Sequence, residues 1–422
     1  MKILPQEYLD RMRGYLGASF DSFLHSYDEP PKKGLRFHTD RIRKETMERL
    51  IGEWHLRKVP WCETGYYYEE TGPFSVRPGR SPYHDAGLYY IQEPSAMLPG
   101  ALAAPEKTDA VLDLCAAPGG KTTQTACSAG FVLSNEYVRK RAQILSSNVE
   151  RMGLANVIVT SASAGALSAL FPEFFDVILV DAPCSGEGMM RRDEIAVSEW
   201  SSENVVLCAR RQEEILEEAY RMLRPGGRLV YSTCTFEPSE NGGQAERFLS
   251  RHRDLALLSE ETLYPHLCEG EGHYCAVFRR SGEAGGSKEG QEEALKRLRR
   301  ARIPILRAGV EPGEWIAGKH RGEKRYEPSH AEALALRSGD LEGTCFLNLL
   351  SEHTALSYLR GESLNLDVLP EDSYALHAEG KNAAGDTKGY LPVCYDGYPL
   401  GWGKLVGRTV KNHYPKGLRR MS

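Results

Sequence analysis

The spacing of apolar positions divides the chain into three kinds of region, changing near residue 109 and again near residue 300. In the first, LPQEYLDRMRGYL sets Leu4, Tyr8, Met12 and Leu16 on one side of a helix. KETMERLIGEWHL reads as a second amphipathic helix, and short strands such as GLRFHT and YYYEE lie between and after them. From Asp109 strands and helices alternate. AVLDLCA is a buried strand, followed by a Gly turn and the helix TTQTACSA. GFVLSNE is the second strand, leading into the helix YVRKRAQILSSNVERMG. ANVIVTS is the third strand, and FDVILVDAP the fourth, a continuous apolar run as a parallel strand requires. The helix SENVVLCARRQEEILEEAYRML stops at Pro225-Gly226-Gly227. RLVYSTC is the fifth strand, a helix led by Ser239 follows, and YCAVFRR closes the unit. This alternation predicts an α/β fold, a doubly wound parallel sheet.

SGEAGGSKEGQEEALK, residues 281–296, is rich in Gly and Glu and reads as a flexible linker that becomes a short helix. Beyond it, short strands and turn dipeptides such as Asp396-Gly397 predict a small, mainly β module. The expected organisation is a mixed α+β region over 1–100, the α/β domain over 101–280, a linker over 281–300 and the module over 301–422. A chain of 422 residues is indeed long enough to split into two or three domains. No apolar run approaches the ~20 residues a bilayer span needs, and the start of the chain lacks a secretion signal. A soluble, cytoplasmic protein is expected, with no membrane partner and monomer as the default state.

The ten cysteines include no CxxC pair, which argues against a structural zinc site, and no metal is expected. Most should be small buried apolar residues in a reducing compartment. A net charge of −5 does not mark a nucleic-acid binder, but the distribution of charge is uneven. Gly401 to Ser422 holds six Lys or Arg and no acid, and Lys296 to Arg325 holds ten against three Glu. Such runs are often only solvated faces. In GWGKLVGRTVKNHYPKGLRR the basic residues interleave with aromatic and Gly residues, which favours a nucleic-acid surface.

DLCAAPGGKTTQ, residues 113–124, ends almost as a phosphate-binding loop does. A Walker A loop needs glycine where Cys115 stands, although VILVDAP offers a Walker B-like strand. The second strand ends at Asn135-Glu136, and Glu136 lies 23 positions after Asp113. An acidic residue about 20 positions past a Gly turn accepts hydrogen bonds from ribose hydroxyls in Rossmann-type sites. It would repel a triphosphate but not a nucleoside without phosphates, such as the adenosine of S-adenosylmethionine. The Gly119-Gly120 turn lets such a ligand approach the backbone. An NTPase and a tight turn with no ligand are the competing readings.

The fourth strand ends in DAPCSGEGMMRR and the fifth in STCTF, so Asp181, Cys184 and Cys234 share the ligand-binding edge if the two strands are neighbours. Carbon 5 of a pyrimidine is a poor nucleophile. A thiolate adding to carbon 6 converts the ring to an enamine that can attack an electrophilic methyl group. A carboxylic acid such as Asp181 can favour the addition by hydrogen-bonding the cytosine's nitrogen 3, and a second thiol can assist departure. The target base must be unstacked to reach such a pocket.

CAAPGGK (115–121), DAPCSGEG (181–188) and STCTF (232–236) resemble the motifs of the Nol/Nop/Sun family of RNA cytosine methyltransferases. YYIQEPSAM (89–97) resembles the lead-in to that family's catalytic domain. LPVCYDGYPLGWGK and KNHYPKGLR resemble the bacterial small-subunit (16S) ribosomal RNA methyltransferase F branch. The resemblance implies a Rossmann-like methyltransferase domain, an N-terminal region contacting RNA and a PUA-like RNA-binding C-terminal module. It implies Cys234 as nucleophile, Cys184 as the residue assisting product release, Asp181 at the cytosine's nitrogen 3 edge and Lys121 between donor and base. It further implies that Cys115, Ala116, Ala117, Pro118, Gly119, Gly120 and Lys121, with Glu136 and Asp181, hold S-adenosylmethionine. The implied substrate is small-subunit ribosomal RNA or the assembling 30S subunit. The same chemistry on transfer RNA, and a non-catalytic RNA-binding assembly factor, are the alternatives.

Three positions depart from the pattern. Ser163 stands where many members carry an adenine-gripping aspartate. His38 replaces the asparagine of an LRxNT motif in Leu35-Arg36-Phe37-His38-Thr39. Gly242-Gly243 follows STCTFEPSEN where an acidic residue is common.

Overall fold

The computed structural model describes residues 4–283, 290–317, 324–377, 381–382 and 389–420. An eight-stranded sheet runs through its centre, with strands β1 (Ala110–Asp113), β2 (Phe131–Asn135), β3 (Val157–Thr160), β4 (Phe175–Asp181), β5 (Leu223–Thr233), β6 (Leu255–Leu263), β7 (His273–Arg280) and β8 (Ile305–Ala308). Their order is β6-β7-β5-β4-β1-β2-β3-β8. β1 to β5 pair in parallel, as the alternation predicts, while β6, β7 and β8 join antiparallel. Successive residues face opposite sides. Leu112, Leu133, Ile178 and Val180 enter one core, and Val111, Val132, Val177 and Leu179 enter the other. Helices α1 (Gly120–Thr125), α2 (Arg139–Arg151), α3 (Ala164–Ser168), α4 (Ser202–Met222) and α5 (Gly242–Arg251) cover the two faces.

Three features depart from expectation. Pro225-Gly226-Gly227 does not separate α4 from the strand; it is a bulge within β5. Phe175 pairs with Leu223 and Val177 with Arg228, so the residues between have no partners in register. β6 carries no alternating apolar signal because most of its residues are exposed. Finally, the second half of the expected linker and the strand that follows it belong to the central body. Helix α6 (Gln291–Arg300) buries Ala294 and Leu298 in the main core, and β8 pairs with β3. Residues 284–289 of that linker lie outside the described residues, as do Lys319 and Arg321 of the basic run and the last two residues.

The N-terminal region builds a four-stranded sheet in the order Arg57–Lys58, Gly65–Tyr68, Lys33–Phe37, Tyr89–Ile91. The predicted helices form over Gln6–Leu16, where Tyr8 and Met12 are buried, and Lys44–Glu53, where Leu50 is buried. The first packs with Phe20 and Phe23 on Met190, Trp200 and Phe236, and so braces the segments that follow β4 and β5.

The C-terminal module is a curled, mostly antiparallel sheet, including Thr344–Leu349, Tyr390–Tyr395, Tyr398–Val406 and Thr409–Asn412. Asp396-Gly397 makes the predicted turn, with φ of +50° and +78°, the pair of positive values that a two-residue hairpin turn requires. Beside a small cluster of its own (Ala333, Tyr390, Trp402), the module shares a larger core with the N-terminal region: Leu347, Leu349, Tyr358 and Leu400 pack with Leu35, Phe37, Leu50 and Tyr89. Among the described residues no helix is long and apolar enough to cross a membrane.

Candidate active site

β1 leads to β2 on one side, while β4 lies on the other, so the sheet order reverses at β1. Crevices at such switch points, outside the carboxyl ends of the strands, bind ligands. The loop after β1 is tied to both neighbours: Leu114 N donates to Leu179 O (3.0 Å) and Ala116 N to Asn135 O (2.9 Å). Gly119 has φ +113°, and a Cβ there would lie 3.1 Å from Leu145 Cδ1; only glycine takes this turn without strain. Arg141 donates to Ala117 O (3.0 Å) and Asn148 to Pro118 O (2.9 Å). Buried Arg36 donates to Gly120 O (3.1 Å), Thr123 Oγ1 (2.7 Å) and Gln92 Oε1 (3.2 Å). The loop is therefore held before any ligand arrives. Ala116, Ala117 and Gly119 are buried, Pro118 is exposed, and burial pushes the thiol of half-buried Cys115 up.

Three carboxyl groups border this loop. Asp113 is buried and accepts from Thr122 Oγ1 (2.7 Å), and burial pushes its pKa up to about 7. Its Oδ1 has no hydrogen-bond partner among the described residues. Glu136, buried at the end of β2, accepts from Val138 N (2.9 Å) and pairs with Arg141 (3.1 Å). A carboxylate has about four acceptor sites, so Glu136 keeps capacity for hydroxyl groups. Asp181 is the third, and Lys121 is committed to it. Three carboxyl groups, with Lys121 paired to one of them, suit a nucleoside lacking phosphates and oppose a triphosphate, which weakens the electrostatic basis of the NTPase reading.

Register decides the rest. β4 and β5 pair Asp181 with Ser232, which brings the segments beyond them together. The Sγ atoms of Cys184 and Cys234 lie 3.4 Å apart, and both residues are half-buried. The hydrogen bond to Cys234, together with burial, pushes the Cys184 thiol up, so Cys184 holds its proton. Lys121 Nζ is 2.8 Å from Asp181 Oδ2, Ser232 Oγ donates to Oδ1 (2.8 Å), and His273 Nε2 lies 3.4 Å from Oδ1. Burial alone would raise the Asp181 carboxyl, but Lys121 and then His273 hold it well below the usual range. The expected neutral carboxylic acid is therefore a carboxylate in the resting site, and the proton of the pair sits on Lys121.

Behind the cysteines, fully buried Glu240 accepts from Ser185 N (3.0 Å) and Gln212 Nε2 (2.7 Å), and Gln212 also donates to Pro183 O (3.1 Å). Gly188 N donates to Cys234 O (2.8 Å). These bonds set the Cys184 loop against the Cys234 strand.

The three departures have different settings. Ser163 caps α3, accepting from Ala166 N at 3.3 Å. His38 is buried in the N-terminal region, where burial pushes its pKa well down. A Cβ at Gly242 would lie 3.0 Å from Glu260 Oε1, so an acidic side chain there would start beside another carboxylate. Arg36, Gln212, Glu240 and His273 were not anticipated as site residues. Arg36 had a signal, a charged residue within the apolar run GLRFH; the others had none.

Comparisons with known proteins agree on all three regions. Residues 4–94 match the N-terminal domain of 16S rRNA methyltransferase RsmF, residues 101–279 the 16S rRNA methyltransferase RsmB/F family, and residues 348–420 the methyltransferase RsmF PUA domain. The chain is 32% identical to ribosomal RNA small subunit methyltransferase F of Klebsiella pneumoniae, over 99% of this chain and 96% of that one. It is 32% identical to the Vibrio campbellii protein of the same name, over 99% and 98%. A crystal structure of a methyltransferase homolog from Pyrococcus horikoshii superposes with a TM-score of 0.59 at 28% identity, over 65% of this chain and 95% of that one.

Proposed function

The chain belongs to the ribosomal RNA small subunit methyltransferase F family, and on that footing we propose that it methylates carbon 5 of a cytosine in small-subunit (16S) ribosomal RNA. The observation that carries this reading is the thiol pair, 3.4 Å apart beside the Lys121–Asp181 ion pair. The Cys234 thiolate adds to carbon 6 of the unstacked cytosine, forming the S–C bond and moving the ring electrons onto nitrogen 3. Lys121 carries the proton that nitrogen 3 takes up, and Asp181 holds Lys121 charged and aimed. Carbon 5 of the resulting enamine is the nucleophile. S-adenosylmethionine supplies the electrophilic methyl group. Carbon 5 then loses its proton to solvent, those electrons re-form the ring double bond, the electrons of the S–C bond return to Cys234, and nitrogen 3 returns its proton to Lys121. The Cys184 thiol steadies that departing thiolate by hydrogen bonding.

The loop Cys115–Lys121, Glu136 and Asp181 hold the donor, with Glu136 accepting from the ribose hydroxyls. The Gly119 turn without a Cβ and the unpartnered Asp113 Oδ1 fit a ligand seated there. Residues 1–100 and the C-terminal module beyond β8, which share a core, add RNA contacts beside the catalytic domain. The enzyme acts as a monomer in the cytoplasm, on the RNA or on the assembling 30S subunit.

The test is the covalent intermediate. After incubation with 16S ribosomal RNA and donor, Cys184→Ala should migrate with bound RNA on a denaturing gel, and Cys234→Ala should not. If Cys184→Ala runs free of RNA while the wild type methylates, the assignment of the two thiols is wrong.

A further inference from the structure

We infer that a basic groove between the N-terminal sheet and the segment after Cys184 binds the phosphodiester backbone of the RNA beside the target cytosine; this rests on the reading above. The groove has a volume of about 610 Å³; Lys33, Arg77, Arg80 and Arg192 line it together with two carboxylates, Glu93 and Glu70, the latter 3.6 Å from Lys33 Nζ. Arg77, Arg80 and Arg192 are exposed, and none is paired with a carboxylate of the described residues. Several arginines elsewhere are instead neutralised locally: Arg420 by Asp85, Arg307 by Glu150, Arg49 by Asp396 and Glu53. What distinguishes Arg77, Arg80 and Arg192 is that all three line one concavity, in a chain of net charge −5. Planar guanidinium forks match phosphate oxygens, and phosphate contacts fix register without reading sequence.

Two chains of contacts connect this groove to the chemistry. Gln92 accepts from Arg36, which itself donates to Gly120 O, and a Cβ at Gly120 would lie 3.0 Å from Gln92 Nε2. One lining side chain, Gln92, thus touches the residue before Lys121. On the other wall, Lys32 N donates to Glu271 Oε1 (3.2 Å), and Arg191, next to Arg192, donates to the same carboxylate (2.7 and 2.8 Å). Gly188 packs against Glu271 O, Gly272 O and Cys234 O, all 3.0–3.2 Å from its would-be Cβ. A strand lying in the groove would therefore present its next base to Lys121 and Cys234.

The experiment compares the full-length wild type with Arg77→Ala/Arg192→Ala. RNA binding to a 16S fragment is measured over a salt series, and donor binding by calorimetry. Two lost single-strand phosphate contacts should lower the slope of log Kd on log salt by about 1.4 and weaken binding about tenfold at low salt. Donor affinity should not change. Arg299→Ala/Arg300→Ala, exposed on α6, is the charge-matched control and should keep the wild-type slope. A wild-type slope in Arg77→Ala/Arg192→Ala, an equal loss in the control, or a loss of donor binding would each overturn the groove assignment. Failure of the wild type to methylate or bind the RNA would instead overturn the functional reading on which it rests.

Discussion

Lys121 and Asp181 show what a buried ion pair does to its members. Lys121 is 8% exposed, and its ammonium is stabilised by a carboxylate 2.8 Å away. Removing one partner of a buried pair leaves an uncompensated charge and costs about 3–5 kcal/mol. The Asp181 side chain is 31% exposed, so solvent screening should reduce this to about 2 kcal/mol. Urea denaturation of Asp181→Asn should show that loss, and Lys121→Met/Asp181→Asn should recover about half of it. A double variant no more stable than the single one would mean that the stranded ammonium is not the cause. The pH dependence has a defined sign. The folded-state carboxyl lies below its unfolded value, so its contribution is present above about pH 4 and fades as pH falls through the folded value.

At the scale of elements, the site is the place where α4, α5 and the loop after β4 are clamped together. Glu240, in the turn before α5, holds Ser185 N and the Gln212 side chain, and Gln212 reaches Pro183 on the other side of Cys184. Glu240→Ala removes both acceptor interactions and loosens the thiol that assists release. Small misplacements of catalytic groups cost up to about 10²-fold, so turnover should fall by about 10–100-fold. The covalent RNA adduct should then accumulate even with Cys184 intact; a fall in turnover without adduct would place the defect at another step. The legibility of elements follows burial. β1 to β5 are read correctly because a strand covered on both faces must be apolar throughout. β6 is missed because an exposed edge strand carries no such constraint. The β5 bulge is missed because Pro-Gly-Gly signals a break in regular pairing without saying whether the strand resumes its own path.

For the whole molecule, the two ends of the chain form one body. Leu35 and Phe37 share a core with Leu347 and Leu349, and Arg43 and Arg49 bind Asp396 at the Asp396-Gly397 turn. Leu347→Ala, at a fully buried position, should cost about 2–5 kcal/mol through the lost contacts and the cavity. Hydrogen exchange should then speed up in Lys33–Phe37 as well as in the C-terminal sheet. Loss of protection confined to residues 344–412 would mean that the two sheets unfold independently despite their shared core. The basic runs also look different in three dimensions. Arg307 and Arg420 are structural, each held by a carboxylate, so charge counted along the chain overstates the surface available to RNA.

The sequence by itself determined the parallel sheet, the Gly turn and the set of residues at the strand ends, because each depends on local periodicity or on a residue's own conformational range. Glu136 at the end of β2 and Cys184 and Cys234 beyond β4 and β5 were legible for that reason. Only the tertiary structure decided which of them meet. Cys184 and Cys234 are 50 positions apart and touch because β4 and β5 are neighbours in register. Arg36 reaches Gly120 across 84 positions, and Asp181 is a carboxylate because Lys121 and His273 converge on it. Buried polar groups must find partners, but the partner is set by strand order and packing between distant segments, which no local pattern encodes.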